Sequence, residues 1–220
     1  MDNVGILLDF DGTLVDSESA HLRVWNEVLA EFGVAIEPAQ YKADHTGVPA
    51  PQSARHLVDT HGLPVTPDEL TDRKSALTQR FLRENRTPLR PDVLETLEWF
   101  RERSVPMALV TGSPREEIAH TMRHWGLEPF FASITTRDDV RHSKPHPESY
   151  RRALATLDLA PEFAVAFEDT STGVESAVAA GVACVAIPNE YSDGQDFSAA
   201  THVAPSLHEA RVWTEAKFGL

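Results

Sequence analysis

The sequence has little cysteine, little positive charge and no long apolar run. Cys184 is the single cysteine, so no disulfide can form within the chain. Lysine and arginine number 20 against 34 aspartates and glutamates, which gives a formal net charge of −14. Such an acidic chain repels the phosphates of nucleic acids. No stretch approaches the roughly 18 apolar residues that a transmembrane helix needs. We therefore expect a soluble globular protein that binds neither nucleic acid nor membranes.

The first residues do not resemble a secretory signal peptide. They contain no basic segment, and Asp9 interrupts the first apolar run. Cys184 lies in "GVACVAIPN", a stretch typical of a buried strand, and no basic residue beside it would activate its thiol. We interpret Cys184 as a core residue and expect a monomer in the cytoplasm.

Six apolar runs predict β-strands: "VGILLDF", "VPMALVTG", "FASIT", "FAVAFED", "CVAIP" and the weaker "HVAPS". Short continuous apolar runs are typical of strands that are buried on both faces of a parallel sheet. Helical patterns lie between the later runs; one of them includes Ile118, Met122 and Trp125 and ends at Gly126. Strands that alternate with helices predict an α/β fold with a doubly wound, mostly parallel sheet.

The segment after the first strand is different, because it carries helical patterns only. These patterns contain Trp25, Leu57 and Leu77, and the last is preceded by a capping box from Thr66 to Glu69. Roughly 70 helical residues are too many for a crossover, since a whole β-α-β unit takes about 30 residues. We predict an all-helical domain over residues 17–86, inserted into an α/β core over residues 1–16 and 87–220. Its two connections to the core would lie side by side and form a hinge.

In open α/β sheets, ligands bind beyond the carboxyl ends of the strands. Polar residues follow the predicted strands at this edge: Asp9, Asp11, Thr111, Gly112, Ser113, Lys144, Glu168 and Asp169. Four carboxylates that gather there repel one another unless a cation joins them. Mg²⁺ prefers oxygen ligands and keeps water molecules that a phosphate can replace. Ser113 precedes a predicted helix, so it either contributes to an anion site or only caps that helix.

The stretches "DFDGTLVDS", "VTGS", "SKPHP" and "FEDTSTG", in this order, resemble the four motifs of the haloacid dehalogenase superfamily. The resemblance covers nearly the whole chain, and residues 17–86 resemble the small helical cap domain of that superfamily. It implies a Rossmann-like core and a Mg²⁺-dependent phosphatase that hydrolyses a small phosphorylated metabolite, such as a sugar phosphate.

The resemblance also implies roles for the carboxylates. Asp9 would attack phosphorus and form an aspartyl-phosphate, and Asp11 would protonate the leaving oxygen and then activate water. Asp9, Glu168, Asp169 and the backbone carbonyl of Asp11 would hold the metal. A lone Asp-x-Asp-Gly also occurs in calcium loops, but here the EF-hand spacing fails, because glycine is at the fourth position rather than the sixth.

The remaining motif residues are implied to bind the transferred phosphate: Thr111, Gly112, Ser113 and Lys144. The segment "DSESAHLRVWNEVL" resembles β-phosphoglucomutase and its sugar-phosphatase relatives. In that group the histidine at the position of His21 helps to orient the acid aspartate; the alternative is a polar residue at the hinge. His120 and His124 are four residues apart, but we interpret them as part of a solvated helix face.

Two alternatives to a phosphatase stay open from the sequence. β-Phosphoglucomutase has a Gly-Val-Ser-Arg stretch whose arginine binds a second phosphate, and here "TGVPAP" places Pro49 and Ala50 there. Lys74 could approach instead, but the loss of the arginine favours a hydrolase over a mutase. The tail "IPNEYSDGQDFSAATHV" resembles the CbbY-type sugar-bisphosphate phosphatases. The second alternative is a phosphate-binding module without catalytic activity.

Overall fold

A computed structural model describes residues 4–220, so residues 1–3 of the predicted core domain lie outside the described part. Six strands form one parallel sheet: β1 (Gly5–Leu8), β2 (Met107–Val110), β3 (Ser133–Thr135), β4 (Ala164–Glu168), β5 (Ala183–Ala186) and β6 (His202–Val203). Each overlaps one of the six predicted runs, and only β5 extends beyond its run, by one residue at Ala183. Their order in the sheet is β3-β2-β1-β4-β5-β6, that of the Rossmann fold. The predicted fold class is confirmed.

Helices cover both faces of the sheet because alternate side chains of each strand point to opposite faces. Ile6 and Leu8 pack in one hydrophobic cluster with α5 (Val93–Glu102), α6 (Arg115–Trp125) and α9 (Leu207–Phe218). Leu7 packs in a second cluster with α7 (Glu148–Leu157) and α8 (Ser171–Ala179). Cys184 is buried in this second cluster, as predicted. The sheet is therefore doubly wound.

Four helices lie between β1 and α5: α1 (Glu18–Ala30), α2 (Pro38–Asp44), α3 (Ala50–His61) and α4 (Pro67–Glu84). We call them the inserted helices. They share a hydrophobic cluster of their own, which includes Trp25, Leu57 and Leu70. The capping box at the start of α4 is present, with Thr66 and Glu69 bonded reciprocally. The sequence patterns missed α2, a short helix in which Tyr41 is the one buried residue.

The two chain segments that join the inserted helices to the rest lie side by side. The Asp16 N–H donates to the Pro88 carbonyl at 2.9 Å, and the Arg90 N–H donates to the Leu14 carbonyl at 2.9 Å. Val15 and Leu89 pair between them as an antiparallel bridge. This arrangement matches the predicted side-by-side connections, whereas the division into two domains stays a prediction.

Ser113 does not cap α6, so that interpretation is wrong. The helix begins at Arg115 with Pro114 at its N-cap, and the Ser113 hydroxyl donates to the Asp11 carboxylate rather than to the helix backbone. Three 3₁₀ helices, at Glu128–Phe130, Arg137–Asp139 and Pro161–Phe163, lie among the connections. Within residues 4–220, no helix combines the length and the apolar character that crossing a membrane requires.

Leu57 and Leu97 are both 0% exposed but belong to different hydrophobic clusters. Replacing a buried leucine with alanine costs about 2–5 kcal/mol of unfolding free energy. We predict that Leu57→Ala increases amide hydrogen exchange in the inserted helices only, whereas Leu97→Ala increases it in the sheet and the helices that cover it. Hydrogen exchange with mass spectrometry compares the two variants. A uniform loss of protection in Leu57→Ala would contradict the two-domain prediction.

Candidate active site

The Lys144 ammonium group lies within a cluster of charged residues at the carboxyl edge of the sheet. Its Nζ donates to Asp9 Oδ1 at 2.6 Å, to Glu168 Oε1 at 2.6 Å and to the Val110 carbonyl at 2.9 Å. Asp9 follows β1, Val110 ends β2 and Glu168 ends β4, so one side chain joins three neighbouring strands. Burial opposes the charge of Lys144, but the carboxylates of Asp9 and Glu168 outweigh it and raise the pKa of Lys144.

Glu168 is fixed from several sides and is 1% exposed. The Tyr150 hydroxyl donates to its Oε1 at 2.5 Å, in addition to Lys144. The first turn of α8 lies against the same carboxylate, because a Cβ atom on Gly173 would lie 2.0 Å from Glu168 Oε2. Only glycine at this position lets the helix approach so closely.

Asp169 is the second buried carboxylate at the end of β4. Asn189 Nδ2 donates to Asp169 Oδ2 at 2.7 Å, and the Thr13 hydroxyl donates to Oδ1 at 3.2 Å. Asn189 Nδ2 also lies 3.3 Å from the Gly12 carbonyl oxygen. The left-handed turn at Gly12 therefore belongs to the same network as the carboxylate, with φ at 77°.

Asp9, Glu168 and Asp169 offer carboxylate oxygens that all lie within 4.8 Å of one another. Burial, followed by the charge of Glu168, raises the pKa of Asp9 to about 8. Burial and the charge of Asp9 also raise the pKa of Asp169. One ammonium group does not balance three buried carboxylates, and only a cation can relieve this repulsion while all of them stay ionised. The donor set consists of oxygens, so these residues fit Mg²⁺.

Asp11 lies in a different environment from Asp9, although it is only two residues away. The Ser113 hydroxyl donates to Asp11 Oδ2 at 2.6 Å, and His21 Nε2 lies 3.8 Å from Oδ1. The Thr111 hydroxyl is farther from Oδ2, at 3.5 Å. Burial acts to raise the pKa of Asp11, but His21 and Ser113 outweigh it and lower the pKa to about 2. The surroundings therefore lower the pKa of Asp11 and raise the pKa of Asp9, although the two residues are close in the sequence.

A cavity of about 300 Å³ opens above this cluster, between the sheet edge and the inserted helices. The sequence-predicted site residues that line it are Asp9, Asp11, His21, Thr111, Gly112, Ser113, Lys144 and Asp169. Glu168 is the predicted site residue that does not line it, since it lies beneath Lys144. The inserted helices contribute Glu18, Tyr41 and Lys74 to the opposite wall. The structure therefore places eight of the nine predicted residues around one cavity.

Sequence reasoning missed Asn189, Tyr150 and the pair of Glu18 and Tyr41, which are bonded at 2.7 Å. Asn189 follows β5, so the rule that located the other strand-end residues could have found it. Tyr150 lies at an apolar position of α7, where a core residue is the ordinary interpretation.

Among residues 4–220, a second group of possible metal ligands consists of His142, His146 and Glu148. Its two histidines are exposed, and Glu148 already accepts hydrogen bonds from the Arg141 and His142 backbone. His120 and His124, the pair considered from the sequence, do not belong to either group. The buried carboxylates lie at the sheet edge where ligands bind, which makes them the candidate catalytic metal site.

Comparison with known proteins agrees with this geometry. The profile of a family described as "Haloacid dehalogenase-like hydrolase" matches residues 6–187. The chain belongs to this family. It is 30% identical over 181 residues to the fructose-1-phosphate phosphatase YqaB of Escherichia coli, a match that covers 82% of this chain and 94% of YqaB. It is also 30% identical to the protein CbbY of Rhodobacter capsulatus over 220 residues, with 96% of each chain covered.

A crystal structure of a CbbY mutant from Rhodobacter sphaeroides in complex with xylulose-(1,5)bisphosphate superposes with a TM-score of 0.85. That match has 26% sequence identity and covers 95% of this chain and 96% of the other. Family and relatives together show that the chain is a phosphatase of the sugar-phosphatase group.

We predict that Gly173→Ala destabilises the protein by about 1–3 kcal/mol, because the new methyl group must displace the Glu168 carboxylate. Glu168→Asp withdraws that carboxylate by one methylene group. The double variant should therefore be more stable than the sum of the two single effects, by about 0.5–3 kcal/mol. Urea denaturation of the four proteins measures this coupling. Additive effects would show that Gly173 and Glu168 do not constrain each other.

Proposed function

We propose that the protein hydrolyses phosphomonoesters of small metabolites with the help of Mg²⁺. The observation that carries this proposal is the cluster of three buried carboxylates, two of which bind Lys144, next to Asp11, whose carboxylate accepts a hydrogen bond from Ser113. Asp9, Asp169 and the Asp11 backbone carbonyl would hold Mg²⁺, with Glu168 as a further ligand or a support for Lys144. When bound, the metal would reduce the repulsion between a carboxylate and a phosphate dianion.

Asp9 is the proposed nucleophile. One of its oxygens forms a bond to phosphorus while the bond from phosphorus to the ester oxygen breaks, and Asp11 gives that oxygen a proton. Asp11 then takes a proton from the water molecule that attacks phosphorus, and cleavage of the bond to Asp9 releases phosphate. Asp11 is ionised in the free protein, with a pKa of about 2. The approach of a phosphate dianion raises that pKa, because like charges disfavour the ionised form.

Thr111, the Gly112 N–H and Lys144 are the proposed ligands of the phosphoryl oxygens, where preorganised donors stabilise the developing charge. All three residues line the cavity beside Asp9. Ser113 lies beside them, but its hydroxyl already donates to Asp11. We therefore assign to Ser113 and His21 the orientation of Asp11.

The inserted helices are proposed to form a cap domain over the site, with residues 14–16 and 88–90 as its hinge. Lys74 on α4 lies 3.9 Å from Glu117 on α6, and the Gln79 side chain donates to Glu116 at 3.0 Å. These polar contacts join α4 to α6, and Lys74 and Glu117 also line the cavity. The exposed hydrogen bond between Gln79 and Glu116 can break at a modest cost in free energy. The pair of Lys74 and Glu117 is buried, so an opening motion must let water reach both charged groups.

The side of the cavity that the inserted helices form favours a hydrolase over a phosphosugar mutase. Pro49 and Ala50 line the cavity where a mutase would carry a phosphate-binding arginine. Lys74, the cation that lines the cavity from these helices, lies beside Glu117. A mutase must retain a bisphosphate intermediate, and this wall offers it no uncompensated positive charge. The names of the relatives support a sugar phosphate as the substrate class.

We predict that the protein releases phosphate from sugar phosphates in the presence of Mg²⁺ and that chelation abolishes the release. Asp9→Asn should lower kcat by about a thousandfold or more, because it removes the nucleophile. Asp59→Asn on the exposed surface of α3 is the matched control and should keep full activity. The measurement is phosphate release across a panel of sugar monophosphates and bisphosphates.

Three outcomes would contradict this proposal. They are activity that survives chelation, activity that survives Asp9→Asn, and no hydrolysis of any substrate. Conversion of β-glucose 1-phosphate in the presence of a bisphosphate primer, without net phosphate release, would favour the mutase instead. A monomeric state and a cytoplasmic location stay predictions from the sequence.

A further inference from the structure

Arg137 is a cation on the cavity wall that has no carboxylate partner. It lines the cavity together with Ser143, and its Nη1 donates to the Ser143 hydroxyl at 2.8 Å. Among the ion pairs formed within residues 4–220, none involves Arg137. A guanidinium group has five N–H donors, so most of them stay available after the bond to Ser143.

The carboxylates next to Arg137 in the sequence bind elsewhere. Asp138 accepts a hydrogen bond from the Arg115 backbone at 2.9 Å, and Asp139 accepts one from the Arg115 side chain at 2.9 Å. Asp139 also accepts bonds from the Thr136 N–H and hydroxyl, both at 2.8 Å, in a capping box. Arg115 therefore holds both aspartates, and the short helix leaves Arg137 without a neighbouring counter-charge.

The other cations that line the cavity are engaged. Lys144 bonds to Asp9 and Glu168, and Lys74 lies 3.9 Å from Glu117. Arg137 is thus the cavity cation, within the described part of the chain, that no carboxylate compensates. A partly buried charge without a partner is costly, and a ligand of opposite charge removes this cost when it binds.

Arg137 is also fixed relative to the catalytic carboxylates. Its N–H donates to the Ser113 carbonyl at 3.1 Å, and its partner Ser143 immediately precedes Lys144. Both contacts belong to the core rather than to the inserted helices. A group that Arg137 binds is therefore held at a constant place with respect to Asp9, whatever the position of those helices.

We propose that Arg137 forms a second anion subsite, which binds a phosphate or carboxylate at the far end of the substrate. This inference rests on the proposed function and narrows it: the substrate class is a small phosphomonoester with a second anionic group. Arginine binds both kinds of anion through paired N–H donors. The subsite lies on the core and so differs from the position near Ala50 where a mutase places its arginine.

The test compares wild type, Arg137→Ala, Arg137→Lys and the control Arg141→Ala, an exposed arginine outside the cavity. The substrates are fructose 1,6-bisphosphate, 3-phosphoglycerate and fructose 1-phosphate, whose second groups are a phosphate, a carboxylate and a neutral hydroxyl. Arg137→Ala should lower kcat/KM for one or both doubly anionic substrates by about tenfold to a hundredfold. Arg137→Ala should change kcat/KM for fructose 1-phosphate little. Arg137→Lys should retain part of the preference for doubly anionic substrates, and Arg141→Ala should match wild type.

An equal loss for all three substrates, or no loss for either doubly anionic one, overturns the subsite. The absence of any hydrolysis in wild type would overturn the proposed function instead. In that case calorimetry with fructose 1,6-bisphosphate and Mg²⁺ still decides the subsite, by comparison of Asp9→Asn with Asp9→Asn/Arg137→Ala. Weaker binding in the double variant supports it, and equal binding or no binding in both variants overturns it.

Discussion

The rest of the structure depends on one constraint: the ammonium group of Lys144 lies among three buried carboxylates, those of Asp9, Glu168 and Asp169. An unpaired buried charge is costly, so Lys144 can remain in this position only while Asp9 and Glu168 contact it. The same bonds align the ends of β1, β2 and β4, at the point where the strand order of the sheet reverses. The geometry of the candidate site is therefore inseparable from the packing of the central strands.

The sheet and its strand-end residues could be predicted from the sequence because both follow from local patterns. An apolar run predicts a buried strand, and a parallel sheet brings the carboxyl ends of all its strands to one edge. Asp9, Asp11, Thr111, Lys144 and Asp169 could be found in this way without any coordinates. For the same reason, the six strands could be predicted without knowledge of long-range contacts.

The remaining features depend on side-chain directions that local patterns do not specify. Ser113 stands where a helix cap is expected, but a carboxylate 102 residues away provides its partner. Asn189 follows a predicted strand, but its contact with Asp169 depends on β4 and β5 being neighbours in the sheet, which the sequence patterns do not show. Arg137 lies beside two aspartates in the sequence, so the local sequence predicts an ion pair with one of them. In the structure, both aspartates accept hydrogen bonds from Arg115 instead.

The cavity wall formed by the inserted helices and the wall formed by the core differ in their uncompensated charges, and this difference is relevant to substrate selection. On the side of the inserted helices, burial raises the pKa of Glu18, whose carboxyl group bonds to the Tyr41 hydroxyl, and Lys74 lies beside Glu117. That wall offers hydrogen bonds and apolar contacts but little uncompensated charge. On the core wall, Lys144 and Arg137 are held rigidly by neighbouring strands and loops. If the proposed subsite at Arg137 binds an anion, discrimination by charge lies with the core, and we expect the inserted helices to discriminate by shape and by hydroxyl groups.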